Sequence, residues 1–169
     1  MNRSTERGEI EEALQNYQQA IELKPDYSTA YYNMGNALNA KGELNEAIKS
    51  FEKALEISPD YSEAYYNMGN ALNAKGELNE ALNNYEKSVI LNPNLAEAYI
   101  NIGIIRKDEG KPAEAIKNYK KALNLKPNLT EGYINIGIIL KDEGKLEEAI
   151  KNYKKALSLN PNLAEAHNN

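Results

Sequence analysis

The sequence predicts an all-α protein, a solenoid of stacked helix-turn-helix repeats, and three observations support this fold class. The chain repeats itself every 34 residues, and the eighteen residues at 30–47 recur unchanged at 64–81. Within each repeat the apolar residues follow the three- or four-residue spacing of a helix. Glycine and proline return at fixed positions that suit helix ends. Because a repeat of this size cannot bury its own core, the copies must stack and share one.

The first helix of each repeat is predicted by the apolar spacing in residues 30–38. Ala30, Met34 and Leu38 recur every four residues, as the buried positions of an amphipathic helix do. Gly42 follows, and glycine can adopt the left-handed conformation that ends a helix without a steric penalty. The same phase is kept by Gly8, Gly76, Gly110 and Gly144.

The second helix follows this glycine turn. Its apolar residues again keep a helical period, and they are Leu44, Ala47, Ile48, Phe51, Ala54, Leu55 and Ile57. Pro59 then ends the helix, because the residue before a proline is pushed out of the α region. The equivalent prolines are Pro25, Pro93, Pro127 and Pro161.

The period divides the chain into one partial repeat, four full repeats and a tail. We expect nine helices, with consecutive helices antiparallel. Residues 1–27 hold only a second helix, at roughly residues 9–23. The full repeats are 28–61, 62–95, 96–129 and 130–163, and residues 164–169 begin a truncated fifth repeat.

Small and large residues keep phase through all four repeats. The small ones, at positions where helices must approach closely, are Gly35, Gly69, Gly103 and Gly137 on first helices and Ala47, Ala81, Ala115 and Ala149 on second helices. The large ones are Tyr31, Tyr65, Tyr99 and Tyr133 on first helices and Phe51, Tyr85, Tyr119 and Tyr153 on second helices. With the 34-residue period, this pattern resembles the tetratricopeptide repeat (TPR) family over roughly residues 8–166. The resemblance implies a right-handed α-solenoid whose first helices line a concave groove.

Two positions break the phase of the repeats. Pro112 replaces a leucine and is expected as the first residue of its helix, where the missing N–H costs nothing. Arg106 also replaces a leucine, and it could lay its stem over the core while its charge stays in water.

The resemblance implies a peptide-binding groove, and asparagine is the residue that persists along it, as Asn33, Asn67, Asn101 and Asn135. Each amide offers two donors and an acceptor, which suits the backbone of an extended peptide. Alternatively, these side chains tie neighbouring first helices together. Flanking candidates are Tyr32, Tyr66, Asn36 and Asn70 in the first two full repeats, and an exposed isoleucine cluster of Ile100, Ile104, Ile134 and Ile138 in the last two.

The last predicted helix, at residues 146–159, has no capping helix after it in the repeat pattern. We therefore expect it to expose its apolar residues and to mediate self-association, giving a homo-oligomer. The residues expected to do so are Ala149, Ile150, Tyr153, Ala156 and Leu157.

The composition argues against several other classes of function. There is no cysteine, and the one histidine, His167, has no partner for a metal site, so we expect no metal and no cofactor. No stretch resembles a membrane span or a signal peptide, and we expect a cytoplasmic protein that binds no membrane. The net charge is −5, and no block of positive charge is dense enough to suggest nucleic acid. No catalytic residues are predicted.

Three functions fit these observations. The first is a non-catalytic scaffold that binds a protein or peptide segment in the concave groove. The second is a targeting or substrate-presenting fragment of a larger enzyme, such as a glycosyltransferase. The third is an engineered or duplicated structural array with no dedicated ligand, which the identity of residues 30–47 and 64–81 favours.

Overall fold

The computed structural model describes residues 3–162, which form nine α-helices and no strand. They are α1 (Arg3–Leu23), α2 (Ser28–Lys41), α3 (Leu44–Ile57), α4 (Ser62–Lys75), α5 (Leu78–Leu91), α6 (Ala96–Asp108), α7 (Pro112–Leu125), α8 (Thr130–Asp142) and α9 (Leu146–Leu159). The predicted all-α class and helix count are confirmed for this part of the chain. The repeat boundaries stay a prediction, and the predicted tail with His167 lies outside the described residues.

Glycine turns join the first and second helices of each repeat. Gly42 has φ of 86° and ends α2. Its N–H donates to the Asn39 carbonyl at 3.0 Å, and the Glu43 N–H donates to the Leu38 carbonyl at 2.9 Å. These bonds satisfy carbonyls that the end of a helix leaves without partners, which is why the turn favours glycine. Positive φ recurs at Gly76, Gly110 and Gly144.

Gly8 does not end a helix, and α1 begins at Arg3 rather than near residue 9. Glycine permits the left-handed conformation without requiring it. Residues 3–7 are all polar, so this segment lacks the apolar pattern of a first helix that would pack back on the rest of α1. The predicted start of the first helix was therefore wrong by about two turns.

A close contact between a glycine and an aromatic ring joins the two helices of each repeat. A Cβ added to Gly35 would lie 2.6 Å from a ring carbon of Phe51, too close for any real side chain. The same contact pairs Gly69 with Tyr85, Gly103 with Tyr119 and Gly137 with Tyr153, at 2.7, 2.5 and 2.5 Å. The sequence placed small residues where helices approach closely, and this prediction is confirmed.

The chain divides into two compact units, Met1–Asn92 and Pro93–Asn169, called here the N-terminal and C-terminal units. In the N-terminal unit α2 packs on α3 and α4 on α5, while α1 packs on α2 and α3 on α4. In the C-terminal unit α6 packs on α7, α7 on α8 and α8 on α9. First helices of successive repeats also touch, α2 with α4 and α6 with α8, and they form one surface in each unit.

The two phase-breaking residues behave as helix and surface chemistry predict. Pro112 is the first residue of α7, as expected. The Arg106 guanidinium pairs with Glu109 at 2.9 Å and Glu114 at 3.3 Å, so two carboxylates neutralise its charge. Hydrogen bonds from Lys111, and then from Arg106, lower the pKa of Glu109.

Candidate peptide-binding surfaces

Asparagine and tyrosine side chains form a hydrogen-bonded network across α2, α4 and α5 of the N-terminal unit. The Asn67 amide nitrogen donates to the Tyr32 hydroxyl at 2.9 Å and to Asn36 Oδ1 at 2.8 Å. The Asn70 amide donates to Asn67 Oδ1 at 3.5 Å, and the Tyr85 hydroxyl donates to Asn70 Oδ1 at 2.9 Å. This set of five side chains is called the amide network below.

The amide network changes the interpretation of Asn67. A primary amide carries two N–H donors, and both of those on Asn67 are used inside the protein. Their acceptors lie on α2 while Asn67 lies on α4, so this side chain ties two neighbouring first helices together. The expectation that each asparagine offers its donors to a ligand is wrong for Asn67, because the neighbouring helix supplies the acceptors first.

Tyr32 is held from two directions. Its hydroxyl accepts the bond from Asn67, and its ring lies 4.7 Å from that of Tyr61, at an interplanar angle of 36°. Burial raises the pKa of Tyr61, and the neighbouring Tyr32 and Glu63 add to the rise. Sequence reasoning missed Tyr61. The sequence did contain a signal, since Tyr27 occupies the same position one repeat earlier. An aromatic residue in the turn before each of these two first helices predicts a ring packed against the helix.

Asn33 and Tyr66 complete this surface. Asn33 is half-buried, and the structure records no hydrogen bond for its amide within residues 3–162. Tyr66 is half-buried too, with its ring 5.9 Å from that of Tyr85. Of the predicted asparagines of the N-terminal unit, Asn33 is therefore the one for which the structure records no side-chain hydrogen bond within residues 3–162.

The C-terminal unit presents a different surface on α6 and α8. Ile104, Ile134 and Ile138 are half-buried and keep some surface in contact with water, and Asn101 takes part in a polar interaction. Ile100 is buried, contrary to the prediction of an exposed isoleucine. Ile100 is covered because α6 is packed on more than one side. Its buried residues extend around more than half of the helix circumference. Asn135 is also buried, at 9% exposure, so it contributes little to an open groove.

The last described helix was predicted to expose five apolar residues for self-association. Ile150 is 51% exposed and Leu157 39% exposed, while Tyr153 is half-buried against Gly137. Ala149 and Ala156 are buried instead, because α9 turns these small residues toward α8, on which it packs. Self-association stays a prediction, and the exposed residues Ile150 and Leu157 now carry it.

Residues 3–162 show few features of other site types. They contain no group of three His, Cys, Asp or Glu side chains placed to hold a metal ion. None of the described helices combines the length and apolar character needed to cross a bilayer. The paired carboxylates are surface groups; for example, the hydrogen bond from Lys126 lowers the pKa of Glu97.

Helix-turn-helix repeats with a shared core define a helical repeat protein, and comparisons with known proteins identify the family. A family model described as TPR repeat matches residues 2–40, 35–74 and 137–169, and one described as tetratricopeptide repeat matches residues 60–128. The chain belongs to the tetratricopeptide repeat family. The predicted α-solenoid class is thereby confirmed, and the family suggests a protein-interaction scaffold. A search of curated proteins gave no significant match.

Solved structures support the same fold. A crystal structure of MamA is 28% identical, with a TM-score of 0.84, and the match covers 94% of this chain and 92% of that one. A MamA from Desulfovibrio magneticus RS-1 is 25% identical, with a TM-score of 0.81 over 93% and 89% of the two chains. YrrB, a TPR protein with an unusual peptide-binding site, is 31% identical, with a TM-score of 0.75 over 91% and 79%.

Proposed function

We propose that the chain is a non-catalytic interaction scaffold that binds a peptide segment on the first-helix surface of its N-terminal unit. The observation that carries this proposal is the arrangement of two adjacent residues on α2. Tyr32 is fixed by Asn67 and Tyr61, and Asn33 beside it has an amide with no recorded partner among the described residues. A rigid aromatic ring next to an available amide suits a peptide backbone and one apolar side chain.

Fixing Tyr32 in advance lowers the cost of binding. A side chain that is ordered only when a ligand binds loses about 0.5–1.5 kcal/mol of conformational entropy, and a preorganised one avoids that loss. In the amide network Asn67 therefore has a supporting role, because it positions Tyr32 rather than touching the ligand. Tyr66, Asn36 and Asn70 extend the same surface along α2 and α4.

The relative YrrB supports this proposal, because a peptide-binding site is described for it and it is 31% identical to this chain. The same reasoning reduces the four asparagines predicted to contact a ligand to one. Asn33 is the proposed ligand contact, while Asn101 and Asn135 lie in the C-terminal unit. There the half-buried Ile104, Ile134 and Ile138 offer an apolar contact of their own.

A peptide array tests the proposal. Hits from an array of unrelated ten-residue peptides would be remeasured by fluorescence anisotropy against the wild type, Asn33→Ala and Asn83→Ala. Asn83 is an exposed asparagine on α5, so its replacement is a control for the loss of an amide elsewhere. We expect Asn33→Ala to weaken binding at least fivefold and Asn83→Ala to leave it unchanged.

Two outcomes would contradict the proposal. Equal affinities for both variants would remove Asn33 from recognition. A complete absence of hits would favour an array with no dedicated ligand, the interpretation that the identity of residues 30–47 and 64–81 supports.

A further inference from the structure

A cleft lies on the other side of the C-terminal unit, among the second helices. It has a volume of about 890 Å3, its walls come from α7 and α9, and its floor comes from α8. Apolar side chains line its lower part, including Ile116 of α7 and Tyr133 and Ile136 of α8. Its volume lies within the range of about 300–1,000 Å3 that is typical of ligand sites. It is called the α7–α9 cleft below.

The rim of the α7–α9 cleft is strongly basic. Five lysines line it, and they are Lys120, Lys145, Lys151, Lys154 and Lys155. Glu148 is the one acidic residue among the lining side chains. Lys145 pairs with Glu143 at 2.8 Å, while no ion pair is recorded for the other four within residues 3–162. The cleft therefore carries positive charge that its own carboxylates do not neutralise.

The N-terminal unit contains the corresponding cleft, two repeats earlier, and its charge is opposite. This α3–α5 cleft has a volume of about 530 Å3 and shares three apolar positions with the α7–α9 cleft, where Ile48, Met68 and Leu72 take the places of Ile116, Ile136 and Leu140. Four glutamates and two lysines line it. Glu52 corresponds to Lys120 and Glu77 to Lys145, since each pair is separated by two repeat lengths. The fold is therefore compatible with either sign of charge, and helix packing does not require a basic rim.

We propose that the α7–α9 cleft binds an acidic, amphipathic peptide segment of a partner protein. Carboxylates of the segment would pair with Lys120, Lys151 and the neighbouring lysines, and an apolar side chain would lie over Ile116 and Tyr133. Charge complementarity of this kind sets specificity and association rate as well as affinity. This site is separate from the proposed first-helix surface and does not depend on it.

A peptide fits these observations better than a nucleic acid does. The cleft lining contains lysine without arginine, and its floor is apolar. A polyanion needs an extended track of cations, and the net charge of this chain is −5, with the corresponding N-terminal cleft acidic. A short row of lysines beside an apolar floor is what an amphipathic segment of a few turns requires.

The experiment uses the full chain and three fluorescein-labelled probes. The first is a peptide with glutamate and leucine at helical spacing, the second is the same peptide with glutamine for glutamate, and the third is a single-stranded oligouridylate of equal charge. The test variant is Lys120→Glu with Lys145→Glu, which introduces the residues that the N-terminal cleft already carries at these positions. The control, Lys49→Glu with Lys75→Glu, makes the same change of net charge in the α3–α5 cleft.

We expect the acidic peptide to bind the wild type, and the glutamine peptide to bind at least tenfold more weakly. The test variant should lose at least tenfold in affinity and the control variant less than threefold, with helical circular dichroism unchanged in both. The proposal is overturned by equal losses in the two variants, by no binding of the acidic peptide at millimolar concentration, or by tighter binding of the oligouridylate. Self-association of the wild type that the test variant abolishes would overturn it too, because a second copy would then be the occupant.

Asn33→Ala distinguishes this inference from the proposed function. That variant should bind the acidic probe as the wild type does, while it loses the array peptides. The two sites can therefore fail independently, and neither result is inferred from the other.

Discussion

The N-terminal and C-terminal units share one steric plan and differ in how their polar groups are satisfied. In the N-terminal unit Asn67 donates to Tyr32 and Asn36. Two repeats further on, the corresponding asparagine is Asn135, but isoleucines replace both acceptors, at positions 100 and 104. No hydrogen bond is recorded for the Asn135 amide among the residues described. The same repeat position therefore holds an asparagine in both units. In the N-terminal unit it links two first helices by hydrogen bonds, and in the C-terminal unit the two acceptors are missing.

The aromatic residues of the second helices show the same difference. Tyr85 packs on Gly69 and donates its hydroxyl to Asn70. Tyr119 packs on Gly103 in the same way, but its buried hydroxyl has no partner within residues 3–162. Its burial raises the pKa of Tyr119, because the charged form would lose its hydration. Packing is thus conserved between the units while hydrogen bonding is not, and the two contributions to stability can be separated by mutation.

The largest effect is expected where both units are alike. Gly69→Ala and Gly103→Ala would each place a Cβ against an aromatic ring that the helices hold in the core. We expect each to lower the free energy of unfolding by about 2 kcal/mol, the usual cost of overpacking. Urea titration followed by circular dichroism measures this.

Gly8→Ala is the matched control for those two variants, because Gly8 lies in α1 with nothing near the added atom. It should raise stability by up to about 1 kcal/mol, since alanine favours a helix over glycine. A large loss in only one of the two core variants would show that the glycine–aromatic contact is not equivalent in the two units.

The next largest effect is a difference in stability between variants of Asn67 and Asn135. Asn67→Ala removes two donated bonds and should cost about 1–2 kcal/mol. Asn135→Ala removes an amide with no recorded bond among the described residues and should cost at least 1 kcal/mol less. Urea unfolding of both variants is the measurement, and equal losses would refute the difference in their roles.

Removing one hydroxyl at a time sharpens the comparison further. Tyr85→Phe should cost about 1 kcal/mol, because it deletes the bond to Asn70. Tyr119→Phe should raise stability by up to about 1 kcal/mol, because it deletes a buried hydroxyl that has no partner in the described chain. Opposite signs in thermal unfolding are the expected result, and a loss of similar size in both would contradict it.

The sequence predicted the fold well because its main determinants are local and repeated. Gly42 and Pro59 mark helix ends through their own backbone chemistry, so the turns could be placed without coordinates. The contact of Gly35 with Phe51 could be predicted because small and large residues recur at the same positions of every repeat. Gly8 was misjudged because the same residue type can lie inside a helix when no turn is needed there.

The candidate surface was harder to predict, because it depends on which side chains meet across helices. The persistence of asparagine suggested one role for all four positions, yet Asn67 is occupied by Tyr32 and Asn36, residues of the preceding repeat. Helical spacing also gave no means to foresee that Ile100 is buried. Spacing along one helix shows which residues share a face, but not what covers that face.

A double-mutant cycle tests most directly whether the units differ in polar partners alone. Ile104→Asn restores the residue found at the Asn70 position, and it would be measured with and without Tyr119→Phe. If the packing of the two repeats is equivalent, the restored amide should accept the Tyr119 hydroxyl and give a coupling energy of about 1 kcal/mol in urea unfolding. A coupling of zero would contradict the account, since the hydroxyl would then remain without a partner even when the residue of the other unit is supplied.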